Sequence, residues 1–377
     1  MTAHSGRWAW ADIDLDALEH NVRTLRQVVS PSTLWAVVKA DGYGHGGTAC
    51  ARAALAAGAE GLCVALVQEG VALRRAGIDA AILVLSEQPA SQAEEVVSSR
   101  LTPTVCSVAH VDALVRAGAD GLPVHLKVDT GMRRIGCRPQ EAVGIADAIA
   151  ATGGALVLQG VWTHLAVADE PADPFTAGQL AQLDAVIADL ASSGHGPALS
   201  HAANSAGALA HPAARRDLAR VGIAMYGISP GHGVDHLLLG LRPVMSLRSR
   251  VSFVKRVASG DGISYGLRHR FRAATTVATV PIGYADGVAR RLSASGGQVL
   301  VGGRRCPIVG VVTMDQLMVD VGDAPVTVGD EVVLIGTQGR ESVTADEWAD
   351  LLGTVGYEVA CSISARVEWR HHGLHGA

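Results

Sequence analysis

The sequence predicts an α/β protein in two parts: an N-terminal (β/α)8 TIM barrel over residues 1–238 and a mainly β domain over 239–377. The first ten or so residues could join the β part. Three observations carry this reading. The chain has 377 residues, too many for one ordinary compact unit and suited to a barrel plus a module. Between about 34 and 230, short β-branched runs alternate with longer alanine-rich runs of helical period. Beyond about 238, strands split by Gly and Asp turns replace that alternation.

In chain order the short runs are WAVVKA (35–40), GLCVAL (61–66), AAILVL (80–85), LTPTV (101–105), VHLKVD (124–129), LQGVWTH (158–164), LSHAA (199–203) and LARVGIA (218–224). Segments such as GTACARAALAAG, EGVALRRAG, PQEAVGIADAIAATGG and TAGQLAQLDAVIADLASSG lie between them and read as helices. Eight apolar strands alternating with helices fit a closed parallel barrel. The alternative is an open doubly wound sheet, with about five to seven strands as a rule and a GxGxxG after its first strand, which is absent here. The C-terminal strands are MSLRSRVSFVKRVASGDGISYG, TTVATVPIGYADG, QVLVGGRRCPIVGVVTMDQLMVDVG and DEVVLIG, with one short helix near 344–352.

Composition narrows the function. Apolar residues make up 49% and charged residues 18%, enough for a large core and against disorder. A net charge of −5 argues against a basic nucleic-acid binder, and 4% aromatics argue against base-stacking platforms. The cysteines at 50, 63, 106, 137, 306 and 361 form no CxxC pair and join no His cluster of metal spacing. They read as free thiols in a reducing compartment. No run resembles a signal peptide or a membrane span. The expectation is a soluble, cytoplasmic protein without a metal site.

A barrel places chemistry at the C-terminal ends of its strands and phosphate near its last two loops. Those positions hold Lys39, Arg134 after Asp129-Thr130-Gly131, His164, Asn204 and Ser205 at a helix start, and Arg220 with Gly222. Lys39 follows Val37-Val38, where a lysine is costly to desolvate unless used or paired. Burial would lower its pKa and favour imine chemistry, although a lysine snorkelling from a strand end is equally compatible. Gly42-Tyr43-Gly44-His45-Gly46 could let backbone approach a ligand or be an ordinary turn. Singly, His164 reads as a core histidine, Arg220 as an ion-pair partner and Tyr265 as a turn residue. Asp286 and Asp315 read as structural supports.

Taken together these residues resemble the alanine racemase family. AVVKADGYGHG (36–46) is similar to its pyridoxal-phosphate (PLP) lysine signature. HLKVDTGMRRIG (125–136), THLAVADE (163–170), AANSAGAL (202–209), RVGIAMYGISP (220–230), GISYG (262–266), PIGYADG (281–287), VGVVTMDQLMVDVG (309–322) and YEVACSIS (357–364) follow in order over nearly the whole chain. The resemblance implies the barrel-plus-β fold, PLP as cofactor and racemisation of alanine, with D-alanine supplied for peptidoglycan. It implies that Lys39 holds PLP as an imine and moves a proton on one face of the substrate. Tyr265 would serve the other face from the partner subunit of a homodimer. His164 would bond Tyr265, and Arg220 would contact both His164 and the pyridine nitrogen. Tyr43, Asn204, Ser205, Tyr357 and the backbone of Gly222 and Ile223 would hold the cofactor at its phosphate end. Arg134 would meet the phenolic oxygen and the substrate carboxylate, Met314 would bind that carboxylate through its N–H, and Tyr284 would narrow the entrance. Lys127 matches a position that some members carbamylate. Small departures stand at Gly42, Arg133 and His201-Ala-Ala-Asn, none at a proposed proton carrier.

Racemisation needs Cα deprotonated on one face and reprotonated on the other. PLP supplies the electron sink, and two positioned bases supply the proton transfers. A guanidinium at the ring nitrogen does not give up its proton, which weakens the sink and disfavours transamination. Alternatives are a broader amino-acid racemase, for example of serine, a non-catalytic PLP-binding barrel, and a decarboxylase of the same fold type. Tyr265 and Met314 oppose the carrier, and Arg220 stands where the decarboxylase has Glu.

Overall fold

The computed structural model describes residues 6–238 and 240–373. It divides into two compact units, one of Ala17–Arg242 and one of the chain up to Asp16 together with Pro243 onward. The cut therefore falls a few residues past 238. The N-terminal strand β1 (Ala9–Asp14) joins the C-terminal unit because it is hydrogen-bonded there on both edges.

In the first unit eight strands run parallel: β2 (Thr33–Val37), β3 (Gly61–Val64), β4 (Ala81–Val84), β5 (Thr102–Val105), β6 (Leu122–Lys127), β7 (Leu156–Trp162), β8 (Leu199–His201) and β9 (Leu218–Val221). Their order is β8-β7-β6-β5-β4-β3-β2-β9. β8 is only three residues long, so the seam with β9 is closed by separate hydrogen bonds, Asp217 N–H to Ser200 O (3.1 Å) and Arg220 N–H to Ala203 O (3.0 Å). Helices Gly47–Ala56, Val67–Arg75, Val108–Arg116, Ala142–Ala150 and Phe175–Ser192 cover the outside, each burying an apolar face. Helix Leu15–Val29 precedes β2 and buries Leu18, Val22, Leu25 and Val29, the spacing of one helical face.

Parallel register sets the interior. Trp35 pairs with Arg220, and Lys127, Trp162 and His201 form one row across β6, β7 and β8. Side chains alternate along a strand, so His125 shares the inward face of Lys127. A Cβ at Gly160 would come within 3.0 Å of the His125 ring, so glycine there makes room for the imidazole. A barrel interior is ordinarily filled by Val, Ile and Leu. Here Arg220, Lys127, His125 and His201 are all buried in it, and polar groups in such a place need a reason.

The second unit is a ten-stranded sheet plus a small hairpin. Its strands are β1, β10 (Met245–Arg250), β11 (Phe253–Val257), β14 (Thr275–Val280), β15 (Gln298–Val301), β16 (Arg304–Val309), β17 (Leu317–Gly322), β18 (Glu331–Gln338), β19 (Glu341–Val343) and β20 (Glu368–His372); β12 (Gly262–Ile263) and β13 (His269–Arg270) form the hairpin. Two short helices interrupt the strands where the sequence predicts one. Ala345–Leu352 is capped by Thr344 and ended by Gly353 in the left-handed conformation, and Gly356–Cys361 carries Tyr357.

Candidate active site

Strand β2 stops at Val37, short of the predicted 35–40. Val38 leaves the strand, and Lys39 opens a turn in which Ala40, Asp41, Gly42 and Tyr43 all have φ between 50° and 64°. This is a turn of left-handed helix. For residues with a Cβ it costs about 1–2 kcal/mol each, so surrounding bonds must impose it. Gly42 N–H donates to Val38 O (2.9 Å), Gly47 N–H to the Asp41 carboxylate (2.6 Å), and Ala40 N–H to Glu69 (2.6 Å). The turn leaves Lys39 half-buried, with its Nζ 5.8 Å from the centre of the Tyr43 ring. It buries Tyr43 against Tyr226, ring centres 5.2 Å apart. The Tyr226 hydroxyl donates to Val37 O, tying this pair to the strand end.

The loops after β8 and β9 meet at Ser205. Its buried Oγ accepts from the amides of Gly222 (2.9 Å) and Ala224 (3.3 Å), which flank the predicted Ile223. Asn204 is the cap of the short helix Ser205–Ala210, its side chain accepting from Gly207 N–H. A Cβ at Gly222 would lie 2.5 Å from the Tyr43 hydroxyl. Two amides, a seryl and a phenolic hydroxyl thus crowd one spot, the donor set that an anion such as phosphate requires. Gly222→Ala is expected to push the phenol out of this cradle and raise the apparent Kd for PLP, the cofactor that the resemblance implies, about tenfold or more, the loss of one charge-assisted hydrogen bond. Titrating apoprotein with PLP by absorbance checks it.

Arg220 is buried, and among the described residues no carboxylate pairs with it. Its Nη1 donates to His201 Nδ1 (2.7 Å), its Nη2 to Thr163 O and Ala202 O (3.0 Å each), and its guanidinium carbon lies 4.5 Å from the Trp162 ring centre. The predicted contact with His164 is not among these bonds. His164 is instead an electrostatic neighbour whose pKa is held well below the ordinary value by burial and then by Arg220, Arg134, Lys127 and Lys39. The same neighbourhood pulls Lys127 down to about 7, through burial first and Arg220 next. Its amine sits 4.2 Å over the Trp162 ring, and Arg134, farther along the loop after β6, is exposed. An amine, an anion cradle and an unneutralised guanidinium therefore gather at the C-terminal ends of the strands. They match an aldehyde-bearing heteroaromatic phosphate such as PLP.

Sequence reasoning missed His125, His201, Gln159 and Trp162. Histidines inside apolar strands carried the same signal as Lys39, that of a costly polar group.

In the second unit the predicted residues share one exposed patch built on the loop 310–316. Ser264, at φ 62°, donates its hydroxyl to Val311 O (2.9 Å) and thereby sets the loop that presents Tyr265. Tyr284 N–H donates to Thr313 O and Ala285 N–H to Met314 O. Tyr265 is 73% exposed, Met314 52% and Tyr284 40%. Asp286 anchors the patch: fully buried, it accepts two 2.7 Å bonds from Arg7 and one from Gly283 N–H, while Arg366 bridges it and Asp315. Tyr357, half-buried, lies on the helix Gly356–Cys361.

Comparison with known proteins agrees with this geometry. Residues 13–230 match the family model of the alanine racemase N-terminal domain, and 244–371 that of the alanine racemase C-terminal domain. The chain is 49% identical over 365 residues to an alanine racemase of Symbiobacterium thermophilum, covering 96% of each, and 44% identical to one of Desulfosudis oleivorans, covering 95% of each. Among solved structures it is similar to alanine racemase from D-cycloserine-producing Streptomyces lavendulae, with a TM-score of 0.92, 38% identity and 98% of each chain covered.

Proposed function

Because the chain belongs to the alanine racemase family, we propose that it interconverts L-alanine and D-alanine using PLP held at the strand ends of its barrel. The observation that carries this reading is the convergence of the Ser205–Gly222–Ala224 cradle, Tyr43 and Lys39 at one barrel end, with Arg220 buried beside them. Lys39 would hold the cofactor through its amine, Ser205, Tyr43, Tyr357 and the Gly222–Ala224 backbone its phosphate, and Arg220 its ring nitrogen. Bound there, PLP supplies the electron sink that makes Cα–H acidic.

The chain's own groups do the rest. Lys39 moves a proton at Cα on one face, and Tyr265 of a second copy moves it on the other. Tyr265 stands on an exposed patch with Met314 and Tyr284, which suits a residue lent across a dimer interface. His164, held neutral by burial and the charge of Arg220, would accept a hydrogen bond from the Tyr265 hydroxyl. Arg134 and the Met314 N–H take the substrate carboxylate, and Tyr284 narrows the entrance. Arg220, which keeps its proton, would hold the ring nitrogen as a donor without protonating it and so restrain transamination.

Lys127 supports a further modification. An amine near 7 is partly neutral at physiological pH, the form that adds carbon dioxide. The resulting carbamate would convert a cation facing Arg220 and Arg134 into an anion that orients Arg134. Exhaustive removal of carbon dioxide is expected to lower activity and bicarbonate to restore it, whereas Lys127→Met should not respond to bicarbonate. Rates in the two buffers check this.

The product D-alanine would serve peptidoglycan assembly. A cytoplasmic site suits cysteines such as Cys50, Cys63 and Cys137, which are buried thiols outside any disulfide. The direct test incubates the PLP-loaded protein with L-alanine and follows D-alanine; an approach to equal amounts is expected. Bound PLP without D-alanine would favour a carrier, and carbon dioxide release a decarboxylase. A panel of L-amino acids measures breadth.

A further inference from the structure

Behind Arg220 the barrel interior holds a hydrogen-bonded chain: Arg220 Nη1 to His201 Nδ1 (2.7 Å), His201 Nε2 to His125 Nδ1 (2.9 Å), and His125 Nε2 to Gln159 Oε1 (3.1 Å). Both rings are fully buried. We propose that His201 is the positioning residue for Arg220, and that His125 and Gln159 fix the tautomer in which His201 can do so.

The direction of the chain follows from valence. A guanidinium has donors and no acceptor, so His201 Nδ1 carries a lone pair and its proton sits on Nε2. That proton points at His125 Nδ1, which is therefore the acceptor, and the His125 proton sits on Nε2 facing the Gln159 carbonyl oxygen. Every donor meets an acceptor in one direction only, and both rings are neutral. Burial lowers the His125 pKa to about 4 and holds His201 well below the ordinary value, with the charge of Arg220 adding to both.

Arg220 gains a rigid mount from this. Trp162 stacks on the His201 ring, 5.3 Å between centres at 10°, and also lies under the guanidinium. The guanidinium is thus gripped on its edge by a neutral imidazole and two carbonyls and on its face by an indole. A carboxylate in the place of His201 would hold it equally well and cancel its charge. The neutral acceptor leaves the positive charge of Arg220 uncancelled, available to the ring nitrogen of a bound cofactor. This inference rests on the reading of Arg220 given above.

The test has two readouts on the holoenzyme. Nitrogen-15 NMR of histidine-labelled protein at neutral pH is expected to show His125 and His201 as neutral Nε2–H tautomers. A proton on Nδ1, or a doubly protonated ring, would overturn the chain. Second, His201→Leu is expected to lower kcat for racemisation roughly 10- to 100-fold, the worth of a hydrogen bond to a charged group. It should also shift the visible band of bound PLP and raise pyruvate formed per turnover. His201→Asn keeps an acceptor near Nδ1 and should recover most of the loss. A leucine variant that melts like wild type, binds PLP fully and shows unchanged kcat and spectrum would refute the role, as would an asparagine variant no better than leucine. A leucine variant that does not fold leaves the decision to the NMR of the native protein. Failure of the native protein to bind PLP or racemise would strike the function reading, whereas the tautomers are read without either.

Discussion

Lys39→Ala is expected to abolish racemisation. The substitution removes a proton carrier, worth about 10²–10⁴-fold by itself, and the amine that anchors the cofactor. The two losses fall on one atom, so no other base can compensate. The variant should also fail to hold PLP through its yellow absorbance, while its melting transition stays near that of wild type, because Lys39 is half-buried at a strand end and not part of the close-packed core. The sequence makes the accompanying chemistry easy to read. Among 31 basic residues only three are lysines, at 39, 127 and 255. Borohydride reduction followed by peptide mapping should place the pyridoxyl group on Lys39. Finding it on Lys127 or Lys255, or retained activity in the alanine variant, would move the site elsewhere.

Tyr265→Phe is expected to lower kcat by about 10²–10⁴-fold, the usual contribution of one general acid–base group, without loss of bound PLP. The ring and its loop are preserved, since Ser264 and Val311 set that loop. Only the hydroxyl goes. With Lys39 intact, one enantiomer of alanine should still exchange its Cα proton with deuterated solvent while racemisation is slow. Equal loss of exchange for both enantiomers would mean that Tyr265 is not a face-specific base. Comparing deuterium incorporation into L- and D-alanine checks it.

Much of the fold was legible because period and composition carry it. Eight apolar runs separated by amphipathic segments allow few arrangements, and their ends pointed to Lys39, His164, Ser205 and Arg220. Other features were not legible, for physical reasons. Nothing in Ala40-Asp41-Gly42-Tyr43 announces left-handed backbone at three residues with a Cβ. That conformation is imposed by Glu69, Val38 and the reach of Asp41 to Gly47. The partner of Arg220 depends on the register of β6, β7, β8 and β9, which local pattern does not encode, so His201 reads in the sequence only as a small departure and His164 as the expected partner. The gathering of Tyr265, Tyr284 and Met314 comes from loop-to-loop hydrogen bonds to the carbonyls of Val311, Thr313 and Met314, contacts without a sequence signal. The short helix Gly356–Cys361 was missed because six residues give too little periodicity.

The central claim is a site shared between two copies, with Lys39 from one and Tyr265 from the other. It is tested most directly by co-expressing the Lys39→Ala and Tyr265→Phe chains under different tags and assaying the purified mixed dimer. A shared site gives that dimer one intact and one doubly damaged site, so its activity should be about half that of the wild-type dimer while each variant homodimer is nearly inactive. A mixed dimer as inactive as the two parents, or chains that never pair, would contradict the account.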